Sequence, residues 1–314
     1  MFRYLVTGGA GFIGSHVVDA LTAIGNTVRV VDDLSTGFQS NIRQNNLVEF
    51  IEADLAEPGI AEAAVTGMEW VIHLAAVPSV PRSVLEPAQT HRANVEATHA
   101  LLLAARDAGV RRFVQASSSS VYGESKTLPK HEGMEPNPVS PYGLHKLIAE
   151  RYASLFTNLY GLETVSLRFF NVFGPRQTAT SQYSGVISLF TAALLSGQTA
   201  TVYGDGEQTR DFTFVSDVAA AVISACDASG ASGRVINIAN GHKTSVNELY
   251  DMLQRQTNTD IPPHHANARA GDIKDSQADI SVAKKVLNFQ PAVSIEGGLQ
   301  RTVEWHRSKE HMRT

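Results

Sequence analysis

Cysteine occurs once in 314 residues, at Cys226, so no disulfide framework can form within the chain and a reducing compartment suits it. Neither sign of charge is in large excess. Twenty-six Lys and Arg against 31 Asp and Glu leave a net charge of −5, which gives no basic footprint for nucleic acid or an anionic membrane surface. Long apolar runs are also missing: nowhere do about 20 consecutive apolar residues occur. The opening "MFRYLVTGGAG" contains no apolar segment of the secretory kind. These absences predict a cytoplasmic protein with neither nucleic acid nor membrane among its partners. What is present is ordinary globular composition, 43% hydrophobic and 18% charged, in a chain long enough for a sizeable core and two lobes.

Short β-rich runs alternate with helical patterns through the first two-thirds. "YLVTG" (4–8), "TVRVVDD" (27–33), "LVEFIEAD" (47–54), "WVIHLAA" (70–76), "RRFVQASS" (111–118) and "TVSLRFF" (164–170) read as strands. "SHVVDALTAIG" (15–25) and "NVEATHALLLAARDAG" (94–109) read as helices, the second with Gly109 as its stop. This alternation predicts an α/β fold of Rossmann type, a doubly wound parallel sheet with right-handed crossovers. From about residue 173 the rhythm loosens, and a strand at 234–239 and a helix at 245–257 point to a smaller C-terminal α/β lobe. We expect residues 1–172, joined by part of 210–240, to form the first domain, and 173–209 with 241–314 to form the second.

"TGGAGFIGS" sets Gly8, Gly11 and Gly14 after the first strand and at a helix start. Glycines there permit a tight turn and let backbone N–H groups approach a pyrophosphate at the positive end of the helix. The second strand ends in Asp32 and Asp33, 24 and 25 residues after Gly8, where a carboxylate would take the hydroxyls of an adenosine ribose. A carboxylate repels a 2′-phosphate, so NAD is expected over NADP. Asp54 closes the third strand. It reads as a helix cap on its own, and as an adenine-side contact because ligands of such sheets bind at the carboxyl ends of strands.

"ASSSSVYG" (116–123) follows the fifth strand. A flexible linker there would split one αβ unit, so the run reads as a strand end. "SPYGLHK" then offers Pro141 as a helix start, with Tyr142 and Lys146 one turn apart on one face. An ammonium near a phenol favours phenolate and would tune Tyr142 toward base duty. Chance matches to Y-x-x-x-K are common, and His145 reads as a solvated helix residue. "PPHH" (262–265) reads as a loop, and no metal site is expected.

Taken together, "TGGAGFIGSH", "VVDDLSTG", "HLAA", "SSSSVYG", "SPYGLHK", "LRFFNVFGPRQ", "GDGEQTRDF" and "RAGDIKDSQADIS" resemble the extended short-chain dehydrogenase/reductase family, particularly its nucleotide-sugar 4-epimerases, over nearly the whole chain. The resemblance implies roles by position. Ser118, four residues before Tyr122, would be the catalytic hydroxyl, Tyr142 the acid/base, and Lys146 the residue that holds the nicotinamide ribose. Phe12, Ile13, Leu55, Leu74, Ala75, Ala76, Asn94 and Phe170 would line the NAD pocket beside the glycines, Asp32, Asp33 and Asp54. Arg210 and Arg269 would hold the substrate diphosphate, and Asp272 would contact the substrate. Ser79, Arg82, Ser119 and Asn171 would contact the substrate, and Ser276 would stand at the gate beside C2 of the sugar.

The family's 4,6-dehydratases resemble one another in an Asp-Glu pair after the catalytic hydroxyl, and its decarboxylases carry a Glu at the second position. Ser119 and Ser120 stand there instead. The resemblance therefore implies a UDP-hexose 4-epimerase with NAD returned unchanged, working through a 4-keto sugar on UDP-GlcNAc/UDP-GalNAc and UDP-Glc/UDP-Gal. The small Ser276 and the loop "SVPRS" (79–83) favour the N-acetyl sugars. UDP-glucuronate epimerisation, another nucleotide-sugar epimerase or dehydratase reaction, and a non-catalytic NAD(H)-sensing regulator are the alternatives; the regulator would be expected to lose Ser118, Tyr142 or Lys146. The family pairs through helices like 88–108 and 142–159, which implies a homodimer.

Overall fold

The computed structural model describes residues 2–178, 185–268 and 274–311. Six strands, β1 (Arg3–Thr7), β2 (Thr27–Asp32), β3 (Val48–Glu52), β4 (Trp70–His73), β5 (Arg112–Ser118) and β6 (Glu163–Phe169), join the strand Arg234–Ile238 in one seven-stranded sheet. From one edge the order is Arg234–Ile238, β6, β5, β4, β1, β2, β3, and every pairing is parallel. The strand order reverses between β1 and β4, and a ligand crevice opens at such a point, beyond the carboxyl ends of the strands.

Side chains alternate across the sheet as the pleat requires. Tyr4 and Val6 of β1, Val28 and Val30 of β2, and Trp70 and Ile72 of β4 enter one core. Its helices are α1 (Phe12–Ala23), Val215–Asp227 and Ser281–Leu287. Leu5, Val31, Val71 and Phe113 enter the opposite core, under α2 (Ile60–Val65), α5 (Ala97–Asp107) and α6 (Pro141–Tyr160). Between α2 and α5 lie two short helices, α3 (Val80–Leu85) and α4 (Pro87–His91), and a π-helical stretch, Arg92–Glu96, that leads into α5. Helices thus begin earlier than the sequence pattern indicates at α1, and later at α5. Gly109 has φ +66 just past the α5 C-cap, as a helix stop requires.

A third core joins Phe173, Phe190, Phe212, Phe214, Leu249 and Leu299, mostly from the helices Val186–Leu195, Val246–Thr257 and Ile295–His311. Three two-stranded ladders stitch this lobe: Val172–Phe173 with Thr213–Phe214, Thr201–Tyr203 with His264–Ala266, and Thr209–Arg210 with Thr244–Ser245. Among the described residues no helix is long and apolar enough to cross a membrane.

Candidate active site

The cleft at the carboxyl end of the sheet has a volume of about 810 Å³. At its floor α1 starts from Gly11, with no side-chain cap and no acid in its first turn. The positive end of the helix is therefore left for a ligand. Gly8 has φ +67, and a Cβ there would lie 2.6 Å from the Ala75 nitrogen; a Cβ on Gly14 would lie 2.1 Å from the Gly8 carbonyl oxygen. Only glycine lets the loop, the helix and the end of β4 pack this closely. That cradle fits a dinucleotide pyrophosphate.

Of the two acids after β2, Asp32 is buried and Asp33 exposed. The Asp32 carboxylate accepts the Ala10 and Leu34 N–H groups, each at 2.9 Å. It braces the glycine loop and lines the cleft at once. Burial holds its pKa above the usual carboxylate range despite those N–H donors. Asp33 accepts from the Ser35 N–H and hydroxyl. Asp54 is paired with Arg92, whose other nitrogen reaches Glu57 at 2.5 Å. Burial opposes ionisation of Asp54, but the Ala56 N–H and the Arg92 guanidinium outweigh it and hold the carboxyl low. Leu55, Leu74, Ala75, Ala76, Phe12 and Ile13 complete this end of the wall.

Ser118 ends β5, and its hydroxyl donates to Ser120 Oγ at 3.0 Å while accepting the Ser120 N–H at 3.1 Å. Tyr142 and Lys146 sit on the first turns of α6, which Ser140 caps by accepting the Gly143 N–H. The Lys146 ammonium donates to the Ala116 carbonyl at 2.9 Å and lies 6.0 Å from the centre of the Tyr142 ring. Burial lowers the Lys146 pKa to about 8, with Glu150 opposing. Burial pushes Tyr142 up to about 12, with a hydrogen bond to Ser118 opposing. The sequence predicts the reverse for the phenol. Loss of water around it outweighs the hydrogen bond to Ser118, so the Tyr142 phenol keeps its proton at neutral pH.

The remaining sequence-derived positions divide. Ser79, Arg82 and Asn171 line the cleft; Arg82 is paired with Glu86 at 2.8 Å. Asn94 is buried behind the wall, where its side-chain amide clasps the Val77 N–H and carbonyl. Phe170 is fully buried against Tyr122, and its neighbour Phe169 faces the cleft instead. Strand alternation places only one of the two on that side. Ser119 opens the 3₁₀ turn Ser119–Tyr122. Arg210 borders a second cavity of about 190 Å³ together with Asn171 and Gln208. Ser276 is buried, its N–H bonded to the Thr209 carbonyl. Arg269 and Asp272 lie outside the described residues. Among the described residues no cluster of His, Cys, Asp and Glu could hold a metal ion.

Several cleft residues have no role assigned from the sequence. Arg176 lines the wall with φ +69 and pairs with Asp19 of α1 at 2.6 Å. Gln177, Val186, Ile187 and Phe212 bring the second lobe to the rim. "GPRQ" follows Asn171 closely enough to have marked the first two.

A glycine cradle, a ribose-side acid and a Ser/Tyr/Lys group in one cleft of a doubly wound sheet define an NAD-dependent enzyme of dehydrogenase type. Residues 4–239 match the NAD dependent epimerase/dehydratase family, and the chain belongs to it. It is 40% identical to a UDP-glucose 4-epimerase of Mycolicibacterium smegmatis, over 98% of this chain and 99% of the relative. Two solved structures superpose with a TM-score of 0.94 at 39% identity, each over 98% of this chain. They are the UDP-glucose 4-epimerase of Thermotoga maritima with UDP-glucose, over 100% of its chain, and a UDP-N-acetylglucosamine 4-epimerase of Methanobrevibacter ruminantium in complex with UDP-N-acetylmuramic acid, over 99%.

Proposed function

We propose that this protein is a UDP-hexose 4-epimerase that interconverts UDP-GlcNAc with UDP-GalNAc and UDP-Glc with UDP-Gal. The observation that carries the reading is the acid inventory of the cleft. Its described lining carboxylates are Asp32, Asp33 and Asp54, all at the ribose end, whereas no described carboxylate lines the end that holds Ser118, Tyr142 and Lys146. Dehydration needs a further acid and base beyond C4, and no described lining residue at that end supplies a carboxyl. Loss and return of hydrogen at C4 needs one proton carrier.

When bound, NAD supplies the hydride acceptor and donor for C4. Gly8, Gly11 and Gly14 would cradle its pyrophosphate, Asp32 its adenosine ribose, and Lys146 its nicotinamide ribose. In its phenolate form, which the Lys146 ammonium and the positive charge of bound NAD would favour, Tyr142 takes and returns the proton of the 4-hydroxyl, and Ser118 orients that oxygen and the phenol together.

The charge of the wall favours a neutral sugar over a hexuronate. Arg82 and Arg176, the two lining guanidinium groups among the described residues, already face Glu86 and Asp19. The family resemblance that sets the small Ser276 at a gate beside C2 supports an N-acetyl group there, although Ser276 is buried and is not among the residues lining the cleft. The working unit we propose is a homodimer.

The test is turnover of UDP-glucose, UDP-GlcNAc and UDP-glucuronate by the purified protein, with products resolved by NMR. Epimerisation of the first two is expected. Turnover of UDP-glucuronate alone would overturn the reading, and turnover of UDP-glucose without UDP-GlcNAc would remove the role of Ser276.

A further inference from the structure

We propose that Ser83 is a positioning residue for Tyr142, fixing the backbone from which the phenol reaches the substrate. The inference rests on Tyr142 being the acid/base of the reaction proposed above.

The first N–H groups of a helix have no partner within it. At the start of α6 each is accounted for separately. Pro141 has none to offer, Gly143 donates to the Ser140 hydroxyl at 3.1 Å, and Leu144 donates to the Ser140 carbonyl at 3.0 Å. The Tyr142 N–H is met from another element: it donates to Ser83 Oγ at 3.1 Å, 59 residues away on α3. Ser83 is 0% exposed, and its own proton goes to the Val80 carbonyl at 2.7 Å. The hydroxyl therefore uses its donor within α3 and its acceptor on α6.

On the other side of the same turn, a Cβ on Gly143 would lie 2.7 Å from the Ser120 carbonyl oxygen. The first turn of α6 is thus seated against the 3₁₀ turn that follows β5 and hydrogen-bonded to α3. These contacts set the distance between the phenol and Ser118, which ends β5. α3 also carries Ser79 and Arg82 into the cleft wall. Ser83 thereby joins the wall beside the substrate to the residue that moves the proton. Alanine at 83 keeps the helix former and removes the acceptor, leaving the turn held on one side only.

A misplacement on the ångström scale costs up to about 100-fold in rate. For Ser83→Ala the expected result is a fall of roughly 10- to 100-fold in kcat, with the KM for UDP-glucose within about twofold and bound NAD unchanged. Ser83→Cys fills the same space with a poor acceptor and is expected to show the same split if the alanine variant does not accumulate. Wild-type kcat in a folded Ser83 variant would overturn the inference even if its melting temperature dropped. So would a parallel loss of kcat, KM and NAD, which marks a structural role. Tyr142→Phe, assayed alongside, separates the two readings. If it keeps turnover, the assignment of the acid/base fails; if it is inactive while Ser83→Ala is fully active, only the role of Ser83 fails.

Discussion

Lys146 has two electrostatic neighbours that act in opposite senses. Removal from water lowers its pKa to about 8, and the Glu150 carboxylate one turn further along α6 raises it. Because the pKa is depressed, the side chain is charged at neutral pH and neutral above about 8. Any activity that needs the ammonium beside Tyr142 is therefore full near pH 7 and lost as pH rises through that value. A plot of kcat from about pH 6 to about pH 10 is expected to fall on its alkaline side near this pKa. A profile that stays flat to about pH 10 would show that the charge of Lys146 is not used. The Tyr142 phenol, pushed up to about 12, ionises too high to produce that limb.

Glu150 also belongs to a strut that joins three elements. Its carboxylate accepts the Ser117 hydroxyl of β5 at 2.5 Å and two nitrogens of Arg168 of β6 at 2.8 and 2.7 Å, with both charged side chains 3% exposed. Arg168 in turn lies 4.6 Å over the ring of Tyr122, whose hydroxyl donates to Asn237 on the seventh strand. Removing one member of a buried pair leaves the other charge bare, at about 3–5 kcal/mol, whereas replacing both with apolar groups is often near neutral. Glu150→Leu is expected to destabilise by that amount in urea unfolding, and Glu150→Leu with Arg168→Met by much less. Equal loss in the single and double variants would show that the pair is not coupled.

This strut was not legible in the sequence, because Glu150 in "LIAERY" and Arg168 in "SLRFF" look like solvated positions until the fold brings them together. That the glycines, Tyr142 and Lys146 share one cleft was legible, since a loop before a helix and one helical turn set fixed spacings along the chain, whereas Ser118 was singled out from its serine run only by the family resemblance. Phe169 against Phe170 turned on the phase of a single strand. Asn94 could not be placed by spacing either, because its work is to hold Val77 from behind the wall.

At the scale of the molecule, α6 has two faces. The inner face carries Lys146, Glu150 and Ala153 into the sheet, all buried, while Leu144, Leu155 and Leu159 are 47%, 49% and 67% exposed. With the half-buried Ile148 and Tyr152, these outer residues recur every three to four positions along one stripe of the helix. Ala100 and Leu103 of the neighbouring α5 are half-buried as well, and the ring of His99 of α5 lies 4.9 Å from that of Tyr152, tilted by 46°. Paired apolar stripes on adjacent helices suit a second copy of the same surface in two-fold symmetry, because each α5–α6 pair can then cover the other. Sedimentation is expected to give twice the 33.8 kDa of the chain for the native protein, and the single mass for Leu155→Glu with Leu159→Glu. The same helix carries Tyr142 and Lys146, so covering its outer face also restrains the base. The monomeric variant is expected to lose kcat while its circular dichroism stays native. A native protein that sediments at the mass of one chain would refute the pairing, and a monomeric variant with full kcat would show that the base needs no support from the partner.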